Sequence, residues 1–350
     1  MAHLDDRSVS ALRDDGTAVT AAGLFSAVVL GAMILAGFQG RHVHALDSLS
    51  HFRVHLAVLL VLVVPVLLVT GQWLAGLACV LVAVVGLSSA VPYLVSQPED
   101  APLQDEQPRY TLLQMNLLYD AEDHRPTLQR INEIRPDVIT LQEASPRWMT
   151  SLAGIRDSYP YQYFCGGTSA RDKIAILSRR PFAGDWSTCR RDDGLAARDV
   201  DFDGTPVRIG SIHLNWPWPS HQWRQIGWLQ PILAGFPGRS LLAGDFNAAP
   251  WSAAVTTVAQ AGSMRVTPGI GPTWIHARLP TAWAGRVGLP LDNVIAGSQI
   301  RHIATQRLRP TASDHLPVLV AFSVVPLPKH DEEDISGGQQ LASKQTILNH

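Results

Sequence analysis

From Gly16 to Gly40 the chain carries no charged side chain, and from Leu56 to Pro98 it carries none again. A helix with one face in water needs polar residues at nearly every turn, so runs of this length do not suit a soluble surface. The first run fits one membrane-spanning helix of about 20 residues, and the second is long enough for two, broken at Thr70-Gly71-Gln72-Trp73. Three transmembrane helices are therefore expected. Pro65 and Pro92 fall inside the apolar runs, where membrane helices tolerate them because neighbours re-satisfy the freed backbone groups. A signal peptide competes for the first run, but that run is longer than an ordinary h-region and further apolar runs follow. Buried helices of a soluble bundle are the other alternative, although such helices seldom lack charge for so long.

Three spans put the N-terminus and the rest of the chain on opposite sides of an inner or plasma membrane. Arg7 and Arg13 precede the first span, Arg41 and Arg53 lie in the first loop, and the second loop has neither Lys nor Arg. The positive-inside rule is thus nearly balanced. Two features favour an extracytoplasmic domain. Gln97 to Gln107 carries Glu99, Asp100, Asp105 and Glu106 with no basic residue, and the two cysteines outside the spans, Cys165 and Cys189, flank the strand-like Lys173 to Ser178. Such a pair can reach bonding distance, and disulfides persist outside the cytoplasm; two unrelated buried thiols are the alternative.

The expected organisation is a tail with three spans over 1–96, a Pro-rich acidic linker over 97–108, a catalytic domain over 109–325 and a disordered polar tail over 326–350. Within the domain the strand candidates are Tyr110 to Leu118, Val138 to Glu143, Ile174 to Ser178, Val207 to Leu214, Ser240 to Gly244, Leu291 to Ala296 and Leu316 to Phe322. Helices are expected over Thr127 to Ile134 and Ser252 to Ala261. Many short strands with a few helices suggest an α+β fold, sheet packed on sheet with helices outside.

The strand ends carry the chemistry. Asn116 closes LLQMN, Gln142 and Glu143 close VITLQE, and His213 sits in IGSIHLNW. Asp245 and Asn247 close LLAGDFN, Asp292 opens LDNVIAG, and Asp314-His315 stand in SDHLPVLV. Singly, each is as readily a turn, a cap or a satisfied core group. Together they supply what phosphate-ester cleavage needs. Glu143, Asp314 and the amide oxygen of Asn116 are hard oxygen ligands for a cation that keeps several waters, such as Mg²⁺. Asp245 is placed to orient and deprotonate a water fixed by Asn247. Asp292 is placed to hold the His315 imidazole, while His213 and His315 donate to phosphoryl oxygens.

This ordered set resembles the endonuclease/exonuclease/phosphatase superfamily. The resemblance implies a four-layer αββα sandwich, dependence on Mg²⁺ or Mn²⁺, and hydrolysis of a phosphoester or phosphoanhydride bond. Asn293 departs from it, since many relatives carry an aromatic there; the departure is expected to bear on substrate contacts. Three N-terminal spans, this domain and GPTW at 271–274 also resemble the membrane-tethered members associated with resistance to teicoplanin-type glycopeptides. That likeness implies a lipid-linked phosphate or pyrophosphate at the outer membrane face.

Trp216, Trp218 and Trp223 follow His213 in HLNWPWPSHQW; they suit either a membrane interface or a Pro-braced loop packed on the domain. The rival function is a tethered nuclease, for which Lys173, Arg190, Arg191 and Arg224 offer a local basic patch. A net charge of −2 shows no general attraction for a polyanion. A catalytically inactive binding module is the third reading, opposed by the intact acid, amide and imidazole set. The four histidines of the first loop, His42, His44, His51 and His55, suit an interfacial loop better than a metal site.

Overall fold

In the computed structural model, which describes residues 6–94, 109–166, 169, 171, 173–276 and 278–325, the N-terminal apolar runs are helical. Helix α1 is Asp6–Ala36, α2 is His44–Ser50, α3 is Arg53–Val69 and α4 is Trp73–Leu94. The chain reverses between α3 and α4 where the sequence predicts a break, at Gly71, whose φ of +77° few other residues adopt cheaply. Gly16–Gln39 and Trp73–Leu94 are each long and apolar enough to cross a membrane; a third crossing is counted only if α2 and α3, bent by 63°, act as one span. The expectation of three spans thus becomes two or three, because α3 alone is 17 residues long. The expected linker, 97–108, and tail, 326–350, lie outside the described residues.

The helices pack through a buried stripe that includes Ile34, Leu60 and Ala83, while Phe25, Leu62 and Val69 stay exposed. Gly86 lets α4 approach closely, since a Cβ there would lie 3.2 Å from Ile34 Cγ2. Large apolar residues left facing outward, with Gly86 and Ala83 at the helix contacts, are the pattern expected of helices able to sit in lipid.

The body of the domain holds two six-stranded sheets. Its elements in order are β1 (Tyr110–Asn116), α5 (Arg125–Ile134), β2 (Val138–Gln142), α6 (Pro146–Ala153), β3 (Tyr161–Cys165), β4 (Ile174–Ser178), β5 (Phe182–Arg190), β6 (Leu195–Phe202) and β7 (Thr205–His213). There follow α7 (Gln222–Leu233), β8 (Ser240–Asp245), α8 (Ala253–Ala261), β9 (Met264–Val266), α9 (Ala284–Val287), β10 (Asp292–Gly297), β11 (Ile300–Arg307) and β12 (Val318–Val324). The strand orders are β11-β12-β1-β2-β4-β3 and β5-β6-β7-β8-β10-β9.

Each sheet is built round one parallel pair, β1 with β2 and β7 with β8, joined by a helical crossover and flanked by antiparallel strands. A parallel pair brings two strand C-termini to the same edge, and both pairs end in polar residues. One apolar core, including Leu112, Ile176, Val207 and Val294, lies between the sheets. A second joins the β8 sheet to α7 and α8, and a third joins the β1 sheet to α5 and α6. The layers are therefore helix, sheet, sheet, helix. Cys165 and Cys189 are disulfide-bonded, with Cα atoms 5.5 Å apart. The bond ties β3, at the edge of one sheet, to β5, at the edge of the other.

The N-terminal helices are fastened to this body. Asp47 of α2 accepts from the backbone amides of Ala253 and Ala254 at 2.8 and 2.9 Å, so it caps α8 from outside that helix. Trp251 Nε1 donates to Ser50 O at 2.7 Å, and Tyr93 O accepts from Gly269 N at 3.1 Å. The first loop is accordingly more than an interfacial turn: His44 stacks on Trp223 with centroids 3.9 Å apart.

Candidate active site

Register explains why distant residues meet. On β7, β8 and β10, His213 pairs with Asp245 and Asp245 with Asp292, so the three side chains leave neighbouring strands on one face. In the opposing sheet Asn116 pairs with Gln142, and Glu143 follows with φ of +57°. Asn247 sits at φ +47° just beyond β8. Positive φ is costly without glycine and recurs where a side chain must be aimed.

The side chains converge on Asp245, which is buried. Its Oδ1 accepts from Asn247 N at 2.8 Å and its Oδ2 from Asn116 Nδ2 at 3.0 Å. His213 Nε2 and His315 Nε2 each stand 3.6 Å from that same Oδ2. His315 Nδ1 is 2.8 Å from Asp292 Oδ2, and His213 Nδ1 is 3.2 Å from Arg171 O. Burial opposes charging His315, but the adjacent Asp292 and Asp245 carboxylates outweigh it and raise the imidazole to about 10. Burial pushes the Asp245 carboxyl above its ordinary range, against the pull of His315 and His213.

The structure brings together the side chains expected to carry the chemistry; of the expected basic patch Lys173, Arg190, Arg191 and Arg224, Arg191 alone lines the mouth, and two details differ. Asn116 Oδ1 accepts from Leu118 N at 3.0 Å while its amide NH₂ faces Glu143 and Asp245, so in this arrangement the nitrogen rather than the oxygen meets the carboxylates. Asn293 is buried and donates to Ala248 O at 2.9 Å; it braces the segment after β8 and lies away from the residues lining the mouth. Glu143 Oε2 accepts from Tyr119 N at 2.9 Å, and Asp314 Oδ2 accepts from Trp274 Nε1 at 2.9 Å.

Gln114, Ser211 and Gln225 escape a reading of strand ends. Gln114 Nε2 donates to Gln142 Oε1 at 2.7 Å and to Asp292 Oδ1 at 2.8 Å, and Gln142 Nε2 donates to Ser211 Oγ at 3.0 Å. This buried chain crosses between the sheets and holds Asp292 behind His315. Gln225 accepts from Asn215 N and donates to His213 O, fixing the strand after β7. Polar residues inside an otherwise apolar strand, as in LLQMN, were the available signal.

A mouth of about 280 Å³ opens above Asp245, lined by Glu143, Arg171, Arg191, His213, Trp216 and Trp274 among others. Trp216 meets Trp274 edge to face at 5.5 Å, and Trp216 and Trp218 remain about half exposed. Glu143, bonded to the Asn116 amide, and Asp314 on the rim of the same mouth are carboxylates that fit a Mg²⁺-like cation retaining most of its water. Among the described residues no three His, Cys, Asp or Glu side chains are grouped to close round a metal by themselves.

The family model described as the endonuclease/exonuclease/phosphatase family matches residues 113–315. No curated protein matches the chain. Among solved structures, the endonuclease/exonuclease/phosphatase from Beutenbergia cavernae is similar at 21% identity over 63% of this chain and 73% of that one, with a TM-score of 0.50. D. rerio TDP2 complexed with single strand DNA product is similar at 16% identity over 62% of this chain and 99% of its own, with a TM-score of 0.50. The corresponding protein from Bacteroides vulgatus gives 14% identity, 62% and 100% coverage, and a TM-score of 0.50. At these identities the likeness to solved structures is one of fold.

Proposed function

The chain belongs to the endonuclease/exonuclease/phosphatase family, and from that premise we propose that it is a divalent-cation-dependent phosphoesterase held at a membrane and acting on a lipid-linked phosphate or pyrophosphate. The observation that carries the chemistry is the single carboxylate oxygen, Asp245 Oδ2, shared at 3.6 Å by two imidazole nitrogens at the base of an open mouth. A carboxylate whose pKa is raised by burial takes a proton from water more readily near neutrality. Asp245 acts as the base toward the attacking water, and the Asn247 backbone amide fixes its second oxygen. His315, kept charged by Asp292, and His213 donate from Nε2 to phosphoryl oxygens as negative charge grows there.

A bound Mg²⁺ or Mn²⁺ would be held by Glu143 with Asn116, and Asp314 on the mouth's rim, and it would neutralise phosphate charge. For Asn116 to contribute its oxygen the amide must turn over and release Leu118 N.

The lipid substrate rests on placement. His55 Nε2 lies 3.0 Å from Val287 O, and Trp216, Trp218 and Trp283 present exposed rings. Trp is favoured where an apolar ring meets a wet edge, as at a membrane interface. Tethering confines enzyme and lipid headgroup to one thin layer and raises their effective concentration. The resemblance to membrane-tethered members associated with teicoplanin-type resistance adds to this reading, and the disulfide fits an extracytoplasmic domain.

A nuclease is the second reading, favoured by Arg171 and Arg191 at the mouth and by the single strand DNA product bound to the TDP2 structure of similar fold. The deciding experiment presents the full chain in vesicles with undecaprenyl pyrophosphate, phospholipids, sugar phosphates and single- and double-stranded DNA, with and without Mg²⁺. The lipid reading expects Mg²⁺-dependent phosphate release from the lipid-linked substrate. DNA cleavage without lipid turnover would replace it with the nuclease.

A further inference from the structure

A second cavity, of about 300 Å³, lies at the seam where the N-terminal helices meet the domain, and it shares no lining residue with the mouth above Asp245. Its walls come from both parts: Arg41, Arg53, Ser89 and Tyr93 from the helical region, and Trp251 and Thr256 from the domain. These four helical residues sit after α1, at the start of α3 and near the end of α4, so they share one end of the helix cluster.

Among the described residues no carboxylate bonds the charge here, although the buried Asp47 carboxylate attracts Arg53 through space. Arg53 is 3% exposed, yet it gives one N–H to Ser89 Oγ at 3.0 Å and one to Gly37 O at 3.2 Å, and its Nε has no partner among the described residues. Phe38 covers its guanidinium at 3.9 Å. Arg41 bonds Gln260. Among the described residues neither guanidinium has a carboxylate within ion-pair distance. The buried carboxylate nearby, Asp47, spends its oxygens on the Ala253 and Ala254 amides. A buried guanidinium is costly to keep unless an anion completes it, and two arginines lining one cavity offer charged donors for the oxygens of a phosphate.

We propose that the Arg41–Arg53 cavity binds the phosphate of an anionic lipid headgroup, whose acyl chains lie along the exposed apolar flank of the helices, and that the bound lipid locks the domain onto the membrane. The proposal rests on the membrane reading of the helices but on no property of the catalytic centre. Phosphate of this kind comes from a lipid or from free anion, and the position at the end of apolar helices selects the lipid.

The test uses the full chain in detergent micelles, with phosphatidylglycerol, phosphatidylcholine and inorganic phosphate added separately and bound species counted by native mass spectrometry. Phosphatidylglycerol is expected to bind in preference to phosphatidylcholine and to resist displacement by equimolar inorganic phosphate. Its affinity is expected to fall about tenfold in Arg41→Gln, the loss of one charge-assisted contact. Arg53→Gln should weaken it further, and since that buried change can disturb folding, the exposed Arg41→Gln is the deciding variant. Turnover of a small soluble phosphodiester by Arg41→Gln should match wild type, which separates failure here from failure of the proposed activity. Equal phosphatidylglycerol affinity in wild type and Arg41→Gln would overturn the site, and displacement by equimolar phosphate would overturn the lipid.

Discussion

Gln114 gives both protons of one buried amide to acceptors on different sheets, and its carbonyl accepts from Thr140 Oγ1 at 3.2 Å. Gln114→Leu would leave Gln142 Oε1 and the Thr140 hydroxyl short of partners in a dry interior and remove one donor from Asp292. The expected cost is about 1–3 kcal/mol of stability, read by denaturant unfolding. His302 supplies a pH dependence away from the site. Burial holds its imidazole below the ordinary value of 6.5, so the unfolded chain binds that proton first. Its contribution is fully present above about pH 6.5 and is lost as pH falls through the depressed folded value. Wild type should therefore destabilise more steeply than His302→Gln on acidification below 6.5, measured as Tm against pH; parallel profiles would contradict the assignment. The residues that converge on Asp245 were legible in the sequence because each ends or opens an apolar run. Gln114 and Ser211 were not, since a polar residue inside a strand reads as an outward-facing one until the second sheet is known to cover it.

Elements were legible where burial leaves a periodic mark. Strand β4 matches its expected bounds of Ile174–Ser178, and β1, β2, β8 and β10 are found within two residues of theirs. Strands β3, β5, β6, β9 and β11 were missed: all lie at or next to a sheet edge, and β5, β6 and β11 carry Asp, Arg, Ser or Thr at positions that are not fully buried, which reads as loop. Helices α6 and α7 were hidden by Pro146 and by the Trp-rich segment before Gln222. The disulfide belongs to this scale, for it staples two edge strands of different sheets across 24 residues of chain. Replacing both Cys165 and Cys189 by Ala should cost about 2–4 kcal/mol, seen as a lower Tm, with the soluble-substrate activity retained at low temperature. An unchanged Tm would mean that the sheets hold their edges without the bond.

For the whole molecule, the two parts are joined by more than the linker. Asp47 on the Ala253 and Ala254 amides, Ser50 on Trp251 and Tyr93 on Gly269 seat the domain against the end of the helices that holds the first loop. None of these contacts was visible in the sequence, because capping a helix from another segment leaves no local pattern. If the helices span the bilayer and the domain is extracytoplasmic, protease added to intact spheroplasts should digest the domain, whereas protection until lysis would place it inside. In the proposed function one centre, built on Asp245 between His213 and His315, hydrolyses a phosphoester or phosphoanhydride beside the membrane. The most direct measurement is Mg²⁺-dependent phosphate release from undecaprenyl pyrophosphate in vesicles by the full chain, wild type against Asp245→Asn, with folding of both checked by circular dichroism. In the variant kcat should fall at least about a hundredfold; turnover at the wild-type rate would contradict the role of Asp245.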